Sequence, residues 1–247
     1  MREHSPDSGP GFTERPADWP HATHHFERAH QLTMSALTGA LSRDRFTRYY
    51  RRDGNHAGVT FLDVGPFDNY AITSGDIVAL MTINVSLPAY AIRQLLGPTR
   101  TMEAINRCLA EDKLPIDADV RFAGVSTLRA MERLYLHIKP ALSQSDIHQK
   151  DTWVAASKLC ARKRPDLFPA PDRIVCEYLG LLRDGNYQAD WQVFRYLISQ
   201  RDVRDAIDLL VDHAIRQPQV EAGSPARYLR HLDVALRMHT GGMLTPD

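Results

Sequence analysis

The chain has 247 residues, 43% of them hydrophobic, which is enough to bury an ordinary core in one large domain or two small ones. Thirty basic residues balance thirty acidic ones, so no overall charge attracts nucleic acid or an anionic membrane, and such binding requires a local patch. The N-terminus has no secretory apolar region and no run approaches the ~20 apolar residues that cross a bilayer, which predicts a cytoplasmic protein without membrane contact.

Residues 1–25 are predicted to form a disordered, flexible tail, because the first part of the chain combines four prolines with Ser, Gly and charged residues. The remainder, 26–247, is predicted to be a single helical domain, and a division into two helical lobes at about 26–124 and 125–247 remains open. A group of histidines follows the prolines, at His21, His24, His25 and His30. Without a companion carboxylate we interpret them as solvated rather than metal-binding.

Basic and aromatic residues are interleaved in the next stretch, at Arg43, Arg45, Arg48, Arg51 and Arg52 with Phe46, Tyr49 and Tyr50. Such a pattern can follow phosphates and stack bases. It is also what a solvated helix face with inward-pointing aromatic residues produces. Both interpretations remain open. The glycine-rich segment 53–75 is predicted to be a loop with one short strand at 59–64.

Apolar residues recur three or four positions apart through the rest of the chain, which predicts helices. Thr73 or Ser74 is a candidate cap for one helix and Thr99 or Thr101 for another, while Pro88 opens a third between them. In the second half the predicted helices are 153–163, 173–182, 190–199, 203–216 and 225–239. Strand-like alternation is nearly absent. The sequence therefore predicts an all-α fold, a compact multi-helix domain of about eight to ten helices.

The stretch 155–180 has the least generic sequence. A helix that carries Lys158 ends in the cations at 162–164, which suit the negative end of a helix dipole, and a proline stops it. Three prolines stiffen the connection to Asp172, which occupies the start of the next helix. Asp172 is either only a cap, worth about 1 kcal/mol, or a carboxylate that faces a cleft. In the second case Lys158 faces the same cleft, where it either contacts a phosphate or acts as an amine nucleophile.

Three stretches of the sequence together resemble a family of uncharacterised actinobacterial proteins known only as a domain of unknown function. The resemblance covers roughly residues 45–240 and implies no activity. The first stretch is Ala156-Ser157-Lys158-Leu159 through Lys163-Arg164-Pro165, with Pro169 and Asp172 to Val175. The second is Ile72-Thr73 with Asp76-Ile77-Val78-Ala79. The third is Ser224-Pro225 with Leu229, Leu232-Asp233-Val234 and Met238.

A lysine followed at short range by Pro-x-x-Asp-x-x-Val is similar to the helix-hairpin-helix DNA glycosylases, particularly the 8-oxoguanine type. In that superfamily the aspartate stabilises the oxocarbenium ion of the sugar, and the lysine attacks the anomeric carbon to form a Schiff base. The resemblance implies a glycosylase-like fold, with Asp172 as the catalytic carboxylate and Lys158 as the amine. The glycine-bearing hairpin with which those enzymes hold a phosphate has no counterpart in residues 148–153, which contain no glycine.

The predicted function is that of a glycosylase-like hydrolase acting on an N-glycosidic bond of a nucleotide or nucleic acid, with DNA or a nucleotide-like small molecule as partner. Trp153, Arg162, Arg164 and Phe168 are the predicted substrate-binding residues, and Trp153 or Phe168 is the candidate aromatic platform for a flipped base. The alternative is a non-catalytic helical binding or accessory protein. In that case Asp172 only caps its helix and the nearby cations form a solvated or phosphate-binding face.

No metal or cofactor is predicted. Cys108, Cys160 and Cys176 match no zinc spacing and are interpreted as buried thiols. Glycine-rich phosphate loops and metalloprotease motifs are absent. His231 and Asp233 are close in sequence in the last predicted helix, but two residues two positions apart face different sides of a helix and do not form a pair by spacing.

Overall fold

Eleven α-helices carry the regular structure of the part of the chain that the computed structural model describes, residues 14–143, 152–182 and 186–244. No β-strand occurs within these ranges, which confirms the predicted compact all-α fold. The helices are α1 (Thr23–Thr38), α2 (Ser42–Tyr50), α3 (Ser74–Met81), α4 (Ala89–Leu96), α5 (Arg100–Leu109), α6 (Val125–Ala141), α7 (Thr152–Lys163), α8 (Arg173–Tyr178), α9 (Tyr187–Ser199), α10 (Arg201–Ile215) and α11 (Tyr228–Leu244).

Side-chain caps start several of these helices where the sequence predicts them. Thr73 caps α3 in a reciprocal capping box, since its hydroxyl accepts a hydrogen bond from the Asp76 N–H while its own N–H donates to the Asp76 carboxylate at 2.8 Å. Thr99 caps α5 by accepting from the Met102 N–H at 3.1 Å. Each cap satisfies backbone N–H groups that the first helical turn leaves without a partner.

The predicted strand at 59–64 is wrong. The chain forms a 3₁₀ helix at Ala57–Thr60, and the next turns close locally as well, with the Phe61 N–H donating to the Gly58 carbonyl at 3.1 Å. These bonds between near neighbours satisfy the backbone without a partner strand. The apolar residues that suggested a strand serve the core instead, because the Phe61 side chain is buried.

A continuous hydrophobic core draws on nearly all of the helices, and α7 lies near its centre. Every residue from 154 to 163 on α7 is buried, including its lysines and its arginine. The helix packs against α6 on one side and α3 on the other. Around it, α11 packs against α2 and α8. This arrangement brings α2, α7 and α11, which are distant in sequence, to one region of the surface.

The described segment before α1 packs against the protein. Trp19 is 2% exposed, its ring lies 5.8 Å from that of Trp191, and its indole N–H donates to Glu132 at 3.0 Å. One large apolar side chain with a satisfied polar edge thus holds residues 14–25 in place. Residues 1–13 of the predicted tail lie outside the described residues.

Replacement of Glu132 by alanine is expected to lower the free energy of unfolding by about 2–3 kcal/mol, because buried donors lose their acceptor. Burial raises the pKa of Glu132, but hydrogen bonds from Gln188, Arg129, Tyr187 and Trp19 outweigh burial and hold the pKa below its usual range. Urea unfolding followed by tryptophan fluorescence measures the loss. The matched control is the exposed Glu177 on α8, whose replacement by alanine should change stability by less than about 0.5 kcal/mol.

Candidate functional site

A cleft of about 630 Å³ opens between α2, the turn that follows α3, α7 and α11. This volume lies in the range of small-molecule sites in proteins. The cleft is strongly charged, since five cationic side chains and three carboxylates line it. The cations are Arg45, Arg48, Lys158, Arg230 and Arg237, and the carboxylates are Asp44, Asp172 and Asp233.

Helical spacing aims one face of α11 into this cleft. Arg230, Asp233 and Arg237 are three and four residues apart and share a face, while buried leucines such as Leu232 and Leu236 hold the other faces in the core. The helix thus presents alternating charges to the cleft from a rigid, well-packed element.

Asp172 is the N-cap of α8 and a cleft residue at the same time. One carboxylate oxygen, Oδ1, accepts a hydrogen bond from the Val175 N–H at 3.0 Å. The other, Oδ2, accepts from Arg237 Nε at 2.9 Å, and both residues line the cleft. Asp172 therefore caps its helix with one oxygen, and its second oxygen remains on the cleft side.

Lys158 lines the same cleft, although its side chain is almost completely enclosed. The residue is 8% exposed, and its ammonium group donates a hydrogen bond to the Ala170 carbonyl at 3.0 Å. That carbonyl belongs to the proline-rich connection between α7 and α8, two residues before Asp172. The stiff turn between the two helices thus fixes the lysine and the aspartate on one wall.

Asp233 is a third charged residue at this wall, and the sequence analysis did not select it. It is 5% exposed, and burial raises its pKa, while the charges of Lys158 and Arg230 act in the opposite direction and Asp172 adds to the increase. Its Oδ2 lies 3.5 Å from Arg230 Nη1. An aspartate between Leu232 and Val234, one turn from arginines on both sides, was the available sequence signal: a carboxylate in an apolar stretch with helically spaced partners.

Arg230 is held rigidly in the cleft. Its guanidinium donates to the Tyr49 hydroxyl and to the Gly58 carbonyl at 2.9 Å, and it stacks over the rings of Tyr49 and Phe61 at 5.2 Å from each centroid. Gly58 has no space for a side chain, because a Cβ there would lie 2.2 Å from the Tyr49 hydroxyl oxygen. The backbone at Gly58 must therefore lie close to Tyr49 for both to contact Arg230 as they do.

The four residues predicted to bind substrate do not line the cleft as the structure describes it. Arg162 and Arg164 are each 1% exposed, and their guanidinium groups donate mainly to backbone carbonyls of surrounding loops. Phe168 is buried in the core, edge-on to Trp191 with 5.4 Å between ring centroids, and Trp153 packs against the core from its edge. The structure gives these side chains packing partners within the protein, and their role in substrate binding stays a prediction.

His231 faces away from the cleft and joins α11 to α2. Its Nε2–H donates to the Ser224 carbonyl at 3.0 Å, which leaves Nδ1 to accept from the Tyr50 hydroxyl at 2.9 Å. Burial lowers the pKa of His231 to about 4, and the charges of Arg230 and Arg227 act in the same direction, while the bond to Ser224 opposes them. The folded protein therefore keeps this imidazole neutral.

Acidification is expected to destabilise the protein through His231. The pKa of His231 is about 4 in the folded protein and about 6.5 in the unfolded chain. As the pH falls from 6.5 to 4, the unfolded chain therefore binds a proton that the folded protein does not. The wild type should lose about 2 kcal/mol more than His231→Gln between pH 7 and pH 4.5, measured by urea unfolding at each pH. Equal losses in both proteins would rule this contribution out.

The described residues hold no group of three or more His, Cys, Asp or Glu side chains placed to bind a metal ion. The three cysteines are free and buried, as predicted. A search of the same residues for a helix that is both long enough and apolar enough to cross a bilayer finds none.

Fold and site together define an all-helical protein with a charged cleft between helices. The sequence profile of a family of unknown function, DUF6308, matches residues 42–240, so the chain belongs to this family. The matched range contains every residue of the cleft except Leu41 and Gly241. Comparisons with curated proteins and with solved structures give no match. The family match confirms the predicted membership of a family of unknown function and gives no activity.

Proposed function

We propose that the protein hydrolyses an N-glycosidic bond of a nucleotide or nucleic acid in the cleft between α2, α7 and α11. The observation that carries this proposal is the presence of one ammonium group and two carboxylates, all largely enclosed, on the wall of a single cleft. These are Lys158, Asp172 and Asp233. Groups of this kind serve where positive charge develops on a sugar and a leaving group requires a proton.

Asp172 is proposed to stabilise the sugar in the transition state. When the bond between C1′ and the base nitrogen breaks, its electron pair leaves with the base and positive charge develops on the sugar ring. A fixed carboxylate next to C1′ lowers the energy of that charge. Arg237 and the Val175 N–H hold the carboxylate of Asp172 in one orientation, so no reorganisation is required during the reaction.

Asp233 is proposed to supply the proton that the leaving base takes up. Burial raises the pKa of this carboxyl group, which favours its protonated form relative to an exposed aspartic acid. A water molecule then adds to C1′ and gives its proton to the carboxylate of Asp233, which restores the acid and completes the hydrolysis. Two carboxyl groups in different surroundings thus divide the roles of charge stabiliser and acid.

Lys158 is proposed to position the two carboxylates. An attack on C1′ requires Nζ to leave the Ala170 carbonyl, to which it donates at 3.0 Å. In its observed position the ammonium group supplies a fixed positive charge that also lowers the pKa of Asp233. Reduction with borohydride during turnover should therefore trap no covalent adduct. An adduct that is lost in Lys158→Met would make Lys158 the nucleophile.

The alternative function is ligand binding without turnover. It is favoured by the observation that both oxygens of Asp172 and the amine of Lys158 already have protein partners. In that case the same cleft holds a ligand, and the charged groups only orient it.

Release of free base, followed by chromatography, distinguishes the two functions. The substrates are nucleosides, their 5′-monophosphates, single strands, and duplexes with damaged bases. We expect release from at least one substrate class at a rate proportional to protein concentration. Binding in the cleft without release of base from any of them would contradict the hydrolase and support the binding protein.

A further inference from the structure

Two arginines on α2 line the cleft without a side-chain partner among the residues that the structure describes. Arg45 and Arg48 are three residues apart, share one face of α2, and both line the cleft. Neither guanidinium makes a hydrogen bond or an ion pair with any residue in the ranges that the structure describes. The other arginines of the cleft differ, because Arg230 bonds Tyr49 and Arg237 pairs with Asp172.

Burial and the positive charges of the cleft arginines lower the pKa values of two nearby histidines. Burial lowers the pKa of His56, and the charges of Arg48 and Arg237 lower it further. On the other side, burial and the charge of Arg45 lower the pKa of His239. Asp44 is the one carboxylate that α2 contributes to the cleft lining. The cleft therefore carries an excess of positive charge in a chain whose total charge is balanced.

We propose that Arg45 and Arg48 form a phosphate subsite that takes the terminal phosphate monoester of a small nucleotide. Planar guanidinium groups donate paired N–H bonds that match phosphate oxygens, and two of them on one helix face can bind one phosphate together. Within the described ranges no protein acceptor competes for either guanidinium, so binding breaks no ion pair that the structure shows there. The sugar and base then extend inward toward Lys158 and Asp172.

A small monoester suits the site better than a nucleic-acid strand. Strand binding rests on many phosphate contacts along an extended basic surface. Here thirty basic and thirty acidic residues balance over the whole chain, and the two arginines line a cleft of about 630 Å³. The identification of the phosphate as part of a nucleotide rests on the proposed function, whereas the subsite itself does not.

Calorimetric titration with ribose 5-phosphate and with ribose tests the subsite in the absence of any N-glycosidic bond. The wild type should bind ribose 5-phosphate at least tenfold more tightly than ribose. Arg45→Ala and Arg48→Ala should each weaken that binding on the order of tenfold. The matched control is Arg43→Ala, since Arg43 is an exposed arginine on the same helix that lines a separate groove, and its loss should leave the affinity unchanged.

The histidine resonances give a second measurement on the same samples. A bound phosphate dianion near Arg48 should raise the pKa of His56 in an NMR titration, because negative charge favours the protonated imidazole. Equal affinity for ribose and ribose 5-phosphate, or an equal loss in Arg43→Ala, would overturn the proposal. A single strand without a terminal phosphate that competes as well as ribose 5-phosphate would overturn its restriction to monoesters.

The outcomes separate this proposal from the proposed function. If ribose 5-phosphate binds through Arg45 and Arg48 but no nucleotide loses its base, the phosphate subsite stands and the hydrolase fails. If nucleosides and nucleotides lose their bases equally fast, the hydrolase stands and the phosphate subsite fails.

Discussion

Replacement of Asp76 by alanine is expected to lower the free energy of unfolding by about 3–5 kcal/mol, because it leaves two buried cations without their counter-charge. Asp76 is 0% exposed, and its carboxylate accepts from Arg162 Nε at 3.1 Å and from Lys163 Nζ at 2.8 Å. It also accepts from the Thr73 N–H at the start of α3. One carboxylate thus ties α3 to the end of α7, the helix that carries Lys158.

Chemical denaturation monitored by circular dichroism measures this effect, with Asp63→Ala as the control. Asp63 is an exposed aspartate ahead of α3, and its removal should change stability by less than about 0.5 kcal/mol. If the Asp76 variant matched this control, the buried network would not be a determinant of stability. A variant that fails to fold while Asp63→Ala folds normally agrees with the expected effect.

Asp172→Asn is expected to reduce the rate of base release by about 10²–10⁴-fold while the protein stays folded. Asparagine caps helices as well as aspartate does, so the bond to the Val175 N–H is retained. The change removes the negative charge that the proposed mechanism places next to C1′. The ratio kcat/KM measures the loss, and the thermal midpoint confirms that the fold is intact.

Asp119→Asn is the matched control for this prediction. Asp119 also caps a helical turn, by accepting from the Arg121 N–H at 2.8 Å, but it lies outside the cleft. Its replacement should leave kcat/KM within about twofold of the wild-type value. Base release that persists at the wild-type rate in Asp172→Asn would remove Asp172 from the mechanism.

Local signals in the sequence predict much of this fold. Periodic apolar residues predict the helices, and residue type and spacing narrow each cap to two candidates, of which the structure uses Thr73 and Thr99. Lys158 and Asp172 were also accessible to prediction, because only fourteen residues and a proline-stiffened turn separate them. The short connection between α7 and α8 restricts where the two side chains lie relative to one another.

The contributions of α2 and α11 to the cleft could not be predicted in this way. Arg45 on α2 and Asp233 on α11 are far apart in sequence, and only the packing of α11 against α2 places them beside α7. The burial of Arg162 and Arg164 could not be predicted from the sequence either. A basic run at the end of a helix is usually solvated, but here loops that pack over α7 supply carbonyl acceptors that sequence spacing does not reveal.

A crystal structure of Asp172→Asn with adenosine 5′-monophosphate tests whether the cleft is the catalytic site, because this variant should bind a nucleotide and cleave it only slowly. We expect the nucleotide to occupy the cleft, with C1′ facing the side chain at position 172 and the phosphate between Arg45 and Arg48. A nucleotide bound elsewhere on the surface, or a cleft that holds none at saturating concentration, would contradict this expectation.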